Sequence, residues 1–396
     1  MATYETIKQT LLTYQQEHLL HFYDQLTETE QQSLLTQIDQ IDFENLKETS
    51  QQQEERATIS ALPSHSAEMF TTTELVNMHE HGLSLLADGK VAVVLLAGGQ
   101  GTRLGHNGPK GTVNMDGTAA TSLFALQAKR IQALQQEVKT TISWYIMTSP
   151  INDEETTTFF KENGYFGLKP EQITFFLQDV SPALTPEGKV MLEDKGTVFQ
   201  APNGNGGVFA SMQKAGILAE LKNNHVKWVF FNNIDNALVQ VADPYFLGYA
   251  DQQGAAISSK SVKKADPNEK VGVLGQRDGK PSVIEYSELT EEQRHQPELQ
   301  DANIGIHLFD VEFLEQTADQ VLPYHLAHKK ISTIKEDGTT VQPLEPNGYK
   351  LEKFYFDVFP YASNMSIFQV ERANEFLPVK NKTGKDSLEE AQKRFN

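Results

Sequence analysis

No cysteine occurs among the 396 residues. Disulfide stapling, thiolate catalysis and cysteine-ligated zinc are therefore excluded. Basic residues are scarce as well, 34 against 53 acidic ones, for a formal net charge of −19. That balance repels polyanions and argues against nucleic acid or an anionic membrane as a partner over any broad surface. Long apolar runs are missing too: nothing approaches the roughly 18 consecutive apolar residues of a membrane span. The start, MATYETIKQTLLTYQQEHLL, has no uninterrupted apolar segment of leader type. The compartment expected from these absences is the cytoplasm.

What remains, 39% hydrophobic and 22% charged residues, is the composition of an ordinary globular protein longer than one average domain. Residues 1–60 are acidic and glutamine-rich, and Leu11, Leu12, Leu19, Leu20, Phe22, Leu34, Leu35, Ile38, Ile41 and Leu46 recur at helical spacing. This predicts two or three amphipathic helices packed on each other or on the body of the protein, with a partner-binding arm as the rival reading. ALPSHSAEMF (61–70) interrupts the pattern as a linker or crossing segment. From Val91 the texture changes. VAVVLLA (91–97), TISWYIM (141–147), ITFFLQ (173–178), KWVFFNN (227–233) and NIGIHLF (303–309) read as strands, with helical stretches at 121–137 and 206–223 between them. Strands alternating with helices predict an α/β fold with a mostly parallel, Rossmann-like sheet and ligands at the carboxyl ends of its strands. The expected division is a helical region at 1–85, a body at 86–380 and a short tail at 381–396, where DSLEEAQKRFN reads as one amphipathic helix.

Residues 93–111, VVLLAGGQGTRLGHNGPKG, carry the strongest chemical signal. An apolar strand runs into Gly98, Gly99 and Gly101, where bare backbone can approach a phosphate or a base, and Arg103 and Lys110 add positive charge. The spacing fits neither a Walker loop, since Lys110 is followed by Gly111, nor the dinucleotide fingerprint, since Gly99, Gly101 and Gly105 are one residue too widely spread. A tight turn would account for the glycines but not for the two cations.

LAGGQGTRLG followed three residues later by PKG resembles the UDP-N-acetylhexosamine pyrophosphorylases of the eukaryotic-type UDP-sugar pyrophosphorylase family. The likeness continues in order through YFGL (165–168), PNGNGG (202–207), VADPYFLGY (241–249), VGV (271–273), EYSEL (285–289), NIGIHLF, PNGYKLEKFYFD (346–357) and EFLPVKN (375–381), covering most of residues 86–381. The resemblance implies a nucleotidyltransferase core with a helical N-terminal region, and uridylyl transfer from UTP to a hexosamine 1-phosphate. Glucose-specific relatives typically carry L-N-G-G-L-G-T and G-P-K-S, so LAGGQGT and GPKG lean towards an N-acetyl sugar. Relatives often extend further at the C-terminus, so no C-terminal dimerisation or control module is expected past Lys380.

In uridylyl transfer a sugar-phosphate oxygen attacks the α-phosphorus of UTP and pyrophosphate leaves. The nucleophile is already an anion, so cations and alignment outweigh any general base. Arg103, Lys110 and Lys380 are the expected catalytic cations, the last by resemblance only. Asp235, just beyond a strongly apolar strand, suits either a Mg²⁺ ligand or an ordinary turn residue; the resemblance favours the ligand, with Asn236 bracing it. Leu96, Ala97, Gly98, Gly99 and Lys110 would line the nucleotide. Gln178, at a strand end, has an amide able to read a uracil edge, Gly204 of PNGNGG offers backbone, and Lys350 resembles a UTP-contacting lysine. For the sugar the candidates are Asn205, Glu285, Tyr286, Asn303, Phe354 and Phe356, although the two phenylalanines alternate as in a half-buried strand and on that pattern alone suit core packing better. Relatives often have Asp where this chain has Asn203. His106 and the histidines of HLAHKK (325–330) show no metal-ligand spacing and read as surface or packing residues. The rival functions are a glucose 1-phosphate uridylyltransferase, a nicotinamide-dependent oxidoreductase using Gly99, Gly101 and Gly105, and a non-catalytic nucleotide-sensing scaffold. The expected partners are small molecules, and the oligomeric state is left open.

Overall fold

The computed structural model describes residues 3–51 and 57–395. They fall into two compact units, each discontinuous in sequence. The larger comprises Ala57–Gln178, Val208–Gln320 and Tyr355–Asn396, the smaller Met1–Arg56, Asp179–Gly207 and Val321–Phe354. This partition cuts across the contiguous segments 1–85, 86–380 and 381–396, because hydrophobic pattern marks elements but not which distant segments return to share a core.

The larger unit is built on an 11-stranded sheet whose main path runs Ser64–Ser66, Met365–Gln369, Ile257–Lys263, Asp301–Asp310, Trp228–Asn233, Val91–Leu96, Trp144–Thr148 and Ile173–Leu177. Neighbours along the path are parallel except on either side of Asp301–Asp310, which runs against both. All five strands expected from the sequence are present. Val91–Leu96 is buried at every position, as a continuous apolar run flanked on both faces should be. Chain order reverses between Val91–Leu96 and Trp228–Asn233, and such a switch point is where open α/β sheets bind ligands. Three path strands, Ser64–Ser66, Ile257–Lys263 and Met365–Gln369, escaped the pattern. Ile257–Lys263 reads ISSKSVK, with Ser258, Ser259, Lys260 and Ser261 all fully buried, so hydropathy gives no hint of it.

The helix Leu123–Val138 appears as expected, capped by Ser122. The second predicted helix is broken. Gly216 takes a left-handed φ of 76° and separates Val208–Lys214 from Ile217–Asn223. Residues 61–70 are no loose linker: Ser64–Ser66 pairs with Met365–Gln369, and Ile59–Ala61, just before, pairs with Val273–Arg277. At the other end, Leu388–Phe395 is the short helix expected, with Leu388 and Ala391 on the main core.

The smaller unit holds the N-terminal helices Tyr4–Thr13, Glu28–Asp39 and Phe43–Gln51 with a 4-stranded sheet. Thr27 and Glu30 form a reciprocal capping box at the start of the second helix. The stripe of Ile7, Leu11, Leu34, Leu35, Ile38 and Leu46 packs on Leu184, Val190, Leu192, Val198 and Leu351. The helices thus spend their apolar face inside the unit, as a solvated helical layer does. No helix among the described residues is long and apolar enough to cross a membrane.

Candidate active site

The loop after Val91–Leu96 folds back on itself. Gly101 N–H donates to Gly108 O at 2.9 Å and Lys110 N–H to Gly99 O at 3.0 Å, so residues 99–110 form a closed turn. The next α-helix begins only at Leu123. A dinucleotide fingerprint needs its glycines to open a helix directly, which disposes of the nicotinamide reading. Gly101 also spends its N–H inside the loop, leaving Gly98 and Gly99 as the bare stretch.

Gly98, Gly99 and Gly111 have different reasons. A Cβ on Gly98 would lie 2.0 Å from Gln178 Oε1, and one on Gly111 would lie 2.1 Å from Phe124 Cε2. A side chain at Gly111 would run into the Phe124 ring, and one at Gly98 would have to displace the Gln178 amide. A Cβ on Gly99 would meet nothing within 4 Å, so no neighbour within the protein demands glycine there. Gln178, 8% exposed, is thereby placed against the loop.

Lys110 reaches Asp235 at 3.6 Å, with 17% and 24% of the two side chains exposed. Burial holds Lys110 below the ordinary lysine value; Asp235 opposes that, while Lys380 and Arg103 lower it further. Arg103 and Lys380 are themselves exposed. Three cations therefore act on one place, where Asp235 is the close carboxylate among the described residues. In a protein of net charge −19, that local surplus of positive charge is a seat for an anion.

Asn236 explains how Lys380 arrives there. Its side chain donates to Glu375 O at 2.7 Å and accepts from Leu377 N–H at 2.9 Å, while Val379 N–H donates to Asp235 O at 2.8 Å. Asp235 and Lys380 are thus stitched together across about 145 residues of sequence. The Asn236 side chain fastens the segment leading to Lys380 rather than Asp235 itself, which is joined to that segment only through its own carbonyl. Two supports escaped sequence reasoning. Asn152, fully buried, donates to Ala97 O at 2.9 Å and Gly99 O at 3.3 Å, holding the glycine loop from below. Lys260, fully buried, contacts Asp243 at 2.6 Å and also Glu375, which fixes the segment leading to Lys380. A strand-end SPIND and a lysine among serines are the only traces either leaves in the sequence.

The acceptor candidates divide. Asn303 lies in Asp301–Asp310 beside a bulge in its pairing with Ile257–Lys263, where Gly305 takes a φ of 69°. Tyr286 is already engaged: Arg294 stacks 3.9 Å from its ring and donates to its hydroxyl at 3.0 Å. Glu285 is exposed next to it, and Phe356 is half-buried against Tyr355. These belong to the larger unit, with Leu96, Ala97, Gly98, Gly99, Gln178 and the cations. Gly204, Asn205, Lys350 and Phe354 belong to the smaller. There the PNGNGG turn is fastened to the end of Gly348–Glu352: Lys353 N–H donates to Asn203 O at 2.7 Å and Gly206 N–H to Lys353 O at 2.8 Å. Lys350 lies 5.7 Å from the Phe199 ring, and Phe354 packs on His325. Lys353, not anticipated, stacks 4.3 Å from the Tyr324 ring. His106 bonds Thr112 Oγ1 at 2.7 Å inside the loop, a packing role.

Residues 37–390 match the family described as UTP–glucose-1-phosphate uridylyltransferase. The chain belongs to that family. It is 37% identical to the Arabidopsis thaliana UDP-N-acetylglucosamine diphosphorylase 2, over 97% of this chain and 81% of that one. It is 38% identical to the mouse UDP-N-acetylhexosamine pyrophosphorylase-like protein 1, over 92% and 78% respectively. Its fold superposes on the Trypanosoma brucei uridine diphosphate N-acetylglucosamine pyrophosphorylase with a TM-score of 0.84 and 31% identity, covering 99% of this chain and 84% of that one.

Proposed function

We propose that the chain, a uridylyltransferase of this family, makes a UDP-N-acetylhexosamine and pyrophosphate from UTP and an N-acetylhexosamine 1-phosphate. The observation that carries the reading is the surplus of cations, Lys110, Lys380 and Arg103, around Asp235 at the sheet's switch point. The relatives with N-acetyl sugars in their names, together with LAGGQGT and GPKG, favour the N-acetyl acceptor over glucose 1-phosphate.

The chemistry follows from charge. The phosphate oxygen of the acceptor forms a bond to the α-phosphorus of UTP as the bond from that phosphorus to the bridging oxygen breaks, and pyrophosphate leaves with the electron pair. Both reactants are anions, so the main barrier is repulsion and alignment. Gly99 lets the triphosphate lie on bare backbone, while Lys110 and Arg103 neutralise the charge that grows on the leaving group. Lys380 holds the acceptor phosphate. Gln178 offers its amide to the uracil edge, and Asn303 offers its own to the sugar. Glu285 and Phe356, in the same unit as Asn303, bound the acceptor. Among the described residues no three of His, Asp and Glu cluster as a ready metal cage. A lone Asp235 fits Mg²⁺ nonetheless, because that ion commonly takes one or two carboxylates and completes its shell with phosphates and water. Bound there, Mg²⁺ supplies further neutralisation of phosphate charge.

Pyrophosphate release measured with UTP, ATP, GTP and TTP against N-acetylglucosamine, N-acetylgalactosamine and glucose 1-phosphates tests the reading. UTP with an N-acetyl sugar phosphate should lead, and EDTA should stop it. Preference for glucose 1-phosphate would move the acceptor, and no release with any pair would overturn the assignment.

A further inference from the structure

Beyond Lys380 the chain returns to the glycine loop. Lys380 N–H donates to Asp386 O at 2.8 Å, Asn381 N–H donates to the same oxygen at 3.1 Å, and Leu388 N–H donates to Asn381 O at 2.9 Å, so residues 380–388 close into a turn. The Asn381 side chain ties the turn again, donating to Lys385 O at 3.2 Å. Both of its ends are anchored. Val379 N–H donates to Asp235 O at 2.8 Å on one side, and on the other the helix Leu388–Phe395 buries Ala391 in the main core.

This turn carries Lys382, whose side chain lies across Gly105. A Cβ on Gly105 would stand 3.4 Å from Lys382 Cδ, 3.6 Å from its Cε and 3.5 Å from its Nζ. Gly105 is exposed, takes a φ of 70° and closes the short turn Thr102–Leu104 that presents Arg103. Lys382 thus brings a fourth cation to the loop, over a residue two places from Arg103. The bonds from Gly101 to Gly108 and from Lys110 to Gly99 make this loop a hairpin. Its base, at Gly98 and Gly99, stands next to Gln178, and Gly105 is at its tip.

The charge on Lys382 is unanswered. Lys385, in the same turn, lies 3.4 Å from Glu269, and Lys393, in the helix that follows, lies 2.7 Å from Glu389. Lys382 has no carboxylate at ion-pair distance among the described residues, and Glu155 approaches the loop at Gly108 instead. Laying a long side chain over a glycine costs rotamer freedom, and setting it beside Arg103 adds repulsion between like charges. An anion at the tip of the loop reverses the second effect and offsets the first.

We propose that Lys382 is a further phosphate-binding residue, which holds the terminal phosphates of UTP and then the departing pyrophosphate at the tip of the glycine loop. The inference rests on the reading of this loop as the seat of the triphosphate. With the uracil read by Gln178 at the base of the hairpin, an anion at its tip is the end of the nucleotide remote from the base. Lys380 and Lys382, two residues apart, then serve different reactants: the first holds the acceptor phosphate and the second the leaving group.

The test compares Lys382→Gln and Lys382→Arg with the wild type in both directions, after each protein's melting curve is checked. Synthesis uses UTP and N-acetylglucosamine 1-phosphate, and the reverse reaction uses UDP-N-acetylglucosamine and pyrophosphate. Lys382→Gln should raise KM for pyrophosphate and for UTP about fivefold, the scale of one exposed charged contact, and leave KM for the sugar 1-phosphate in place. Lys382→Arg keeps the charge and its donors, and should bring both values back to within about twofold of the wild type. An unchanged KM for pyrophosphate in Lys382→Gln, an equal rise for the sugar 1-phosphate, or an arginine variant as impaired as the glutamine one would overturn the proposal. Wild-type turnover with a silent Lys382→Gln sinks this inference alone, whereas no uridylyl transfer by the wild type sinks the functional reading with it.

Discussion

Lys260 is fully buried between Asp243 at 2.6 Å and Glu375, with the Phe246 ring 5.5 Å away. Lys110, in the same unit, has Asp235 at 3.6 Å and two further cations pressing on it. Burial draws both ammonium groups down. At Lys260 the two carboxylates outweigh it and lift the group above the ordinary lysine value, while at Lys110 the balance stays below. One cation is over-neutralised by its own chain and the other is left in deficit. A deficit is costly unless something outside the chain fills it, so the same residue type is structural in one place and, on the function proposed, a ligand seat in the other.

Substitution should separate the two. Lys260→Met leaves two carboxylates facing each other without their cation, and breaking a buried pair from one side should cost roughly 3–5 kcal/mol of stability. Chemical denaturation would show it as a lower midpoint with an unchanged slope. A variant as stable as the wild type would remove the contrast. Lys110→Met should do the reverse: the melting temperature stays or rises as cation repulsion is relieved, and kcat falls about a hundredfold, the loss typical of one fixed charge-stabilising group. Equal losses of stability in both variants would mean that Lys110 is a structural lysine too.

The sequence carried this difference unevenly. Strands Val91–Leu96 and Trp228–Asn233 could be read from the unbroken apolar runs VAVVLL and WVFF, and the glycine loop because a tight turn alone has no use for Arg103 and Lys110 beside its bare backbone. Lys260 could not be found, since ISSKSVK is polar and its two partners lie 17 and 115 residues away. Asn152 was hidden for the same reason: it bonds backbone oxygens 53 and 55 residues back. The discontinuous units are a further case, for residues 179–207 and 321–354 join the N-terminal helices only through three-dimensional packing. Local pattern specifies elements and bare loops. Partnerships between distant polar groups, which decide whether a charge is satisfied, are not local.

A smaller perturbation sharpens the comparison at the loop. Gly99→Ala introduces a methyl into open space, so the fold should be unaffected, whereas Gly98→Ala drives one into Gln178. If the triphosphate lies against Gly99, that methyl should raise KM for UTP about tenfold while the melting temperature holds. Normal UTP binding by Gly99→Ala would move the nucleotide off this stretch.

His307 offers the smallest and most gradual effect, read as a slope rather than a loss. It is fully buried, and desolvation lowers it from the ordinary histidine value of 6.5 to about 3. The native protein therefore refuses a proton that the unfolded chain accepts. Because the folded value is depressed, this contribution to stability is complete above about pH 6.5 and is lost progressively as pH falls towards 3, at about 1.4 kcal/mol per pH unit. Carboxylates titrate over part of the same window, so the wild-type curve alone is ambiguous. The difference between wild type and His307→Asn isolates the histidine: unfolding free energies from urea titrations at several values between pH 6 and 4 should fall more steeply for the wild type, by about 1.4 kcal/mol per unit. Parallel curves would mean that His307 takes up its proton while folded, and a charged imidazole cannot accept from Tyr355. The Tyr355 hydroxyl lies 2.8 Å from His307 Nε2, and only a neutral His307 has the lone pair to accept from it.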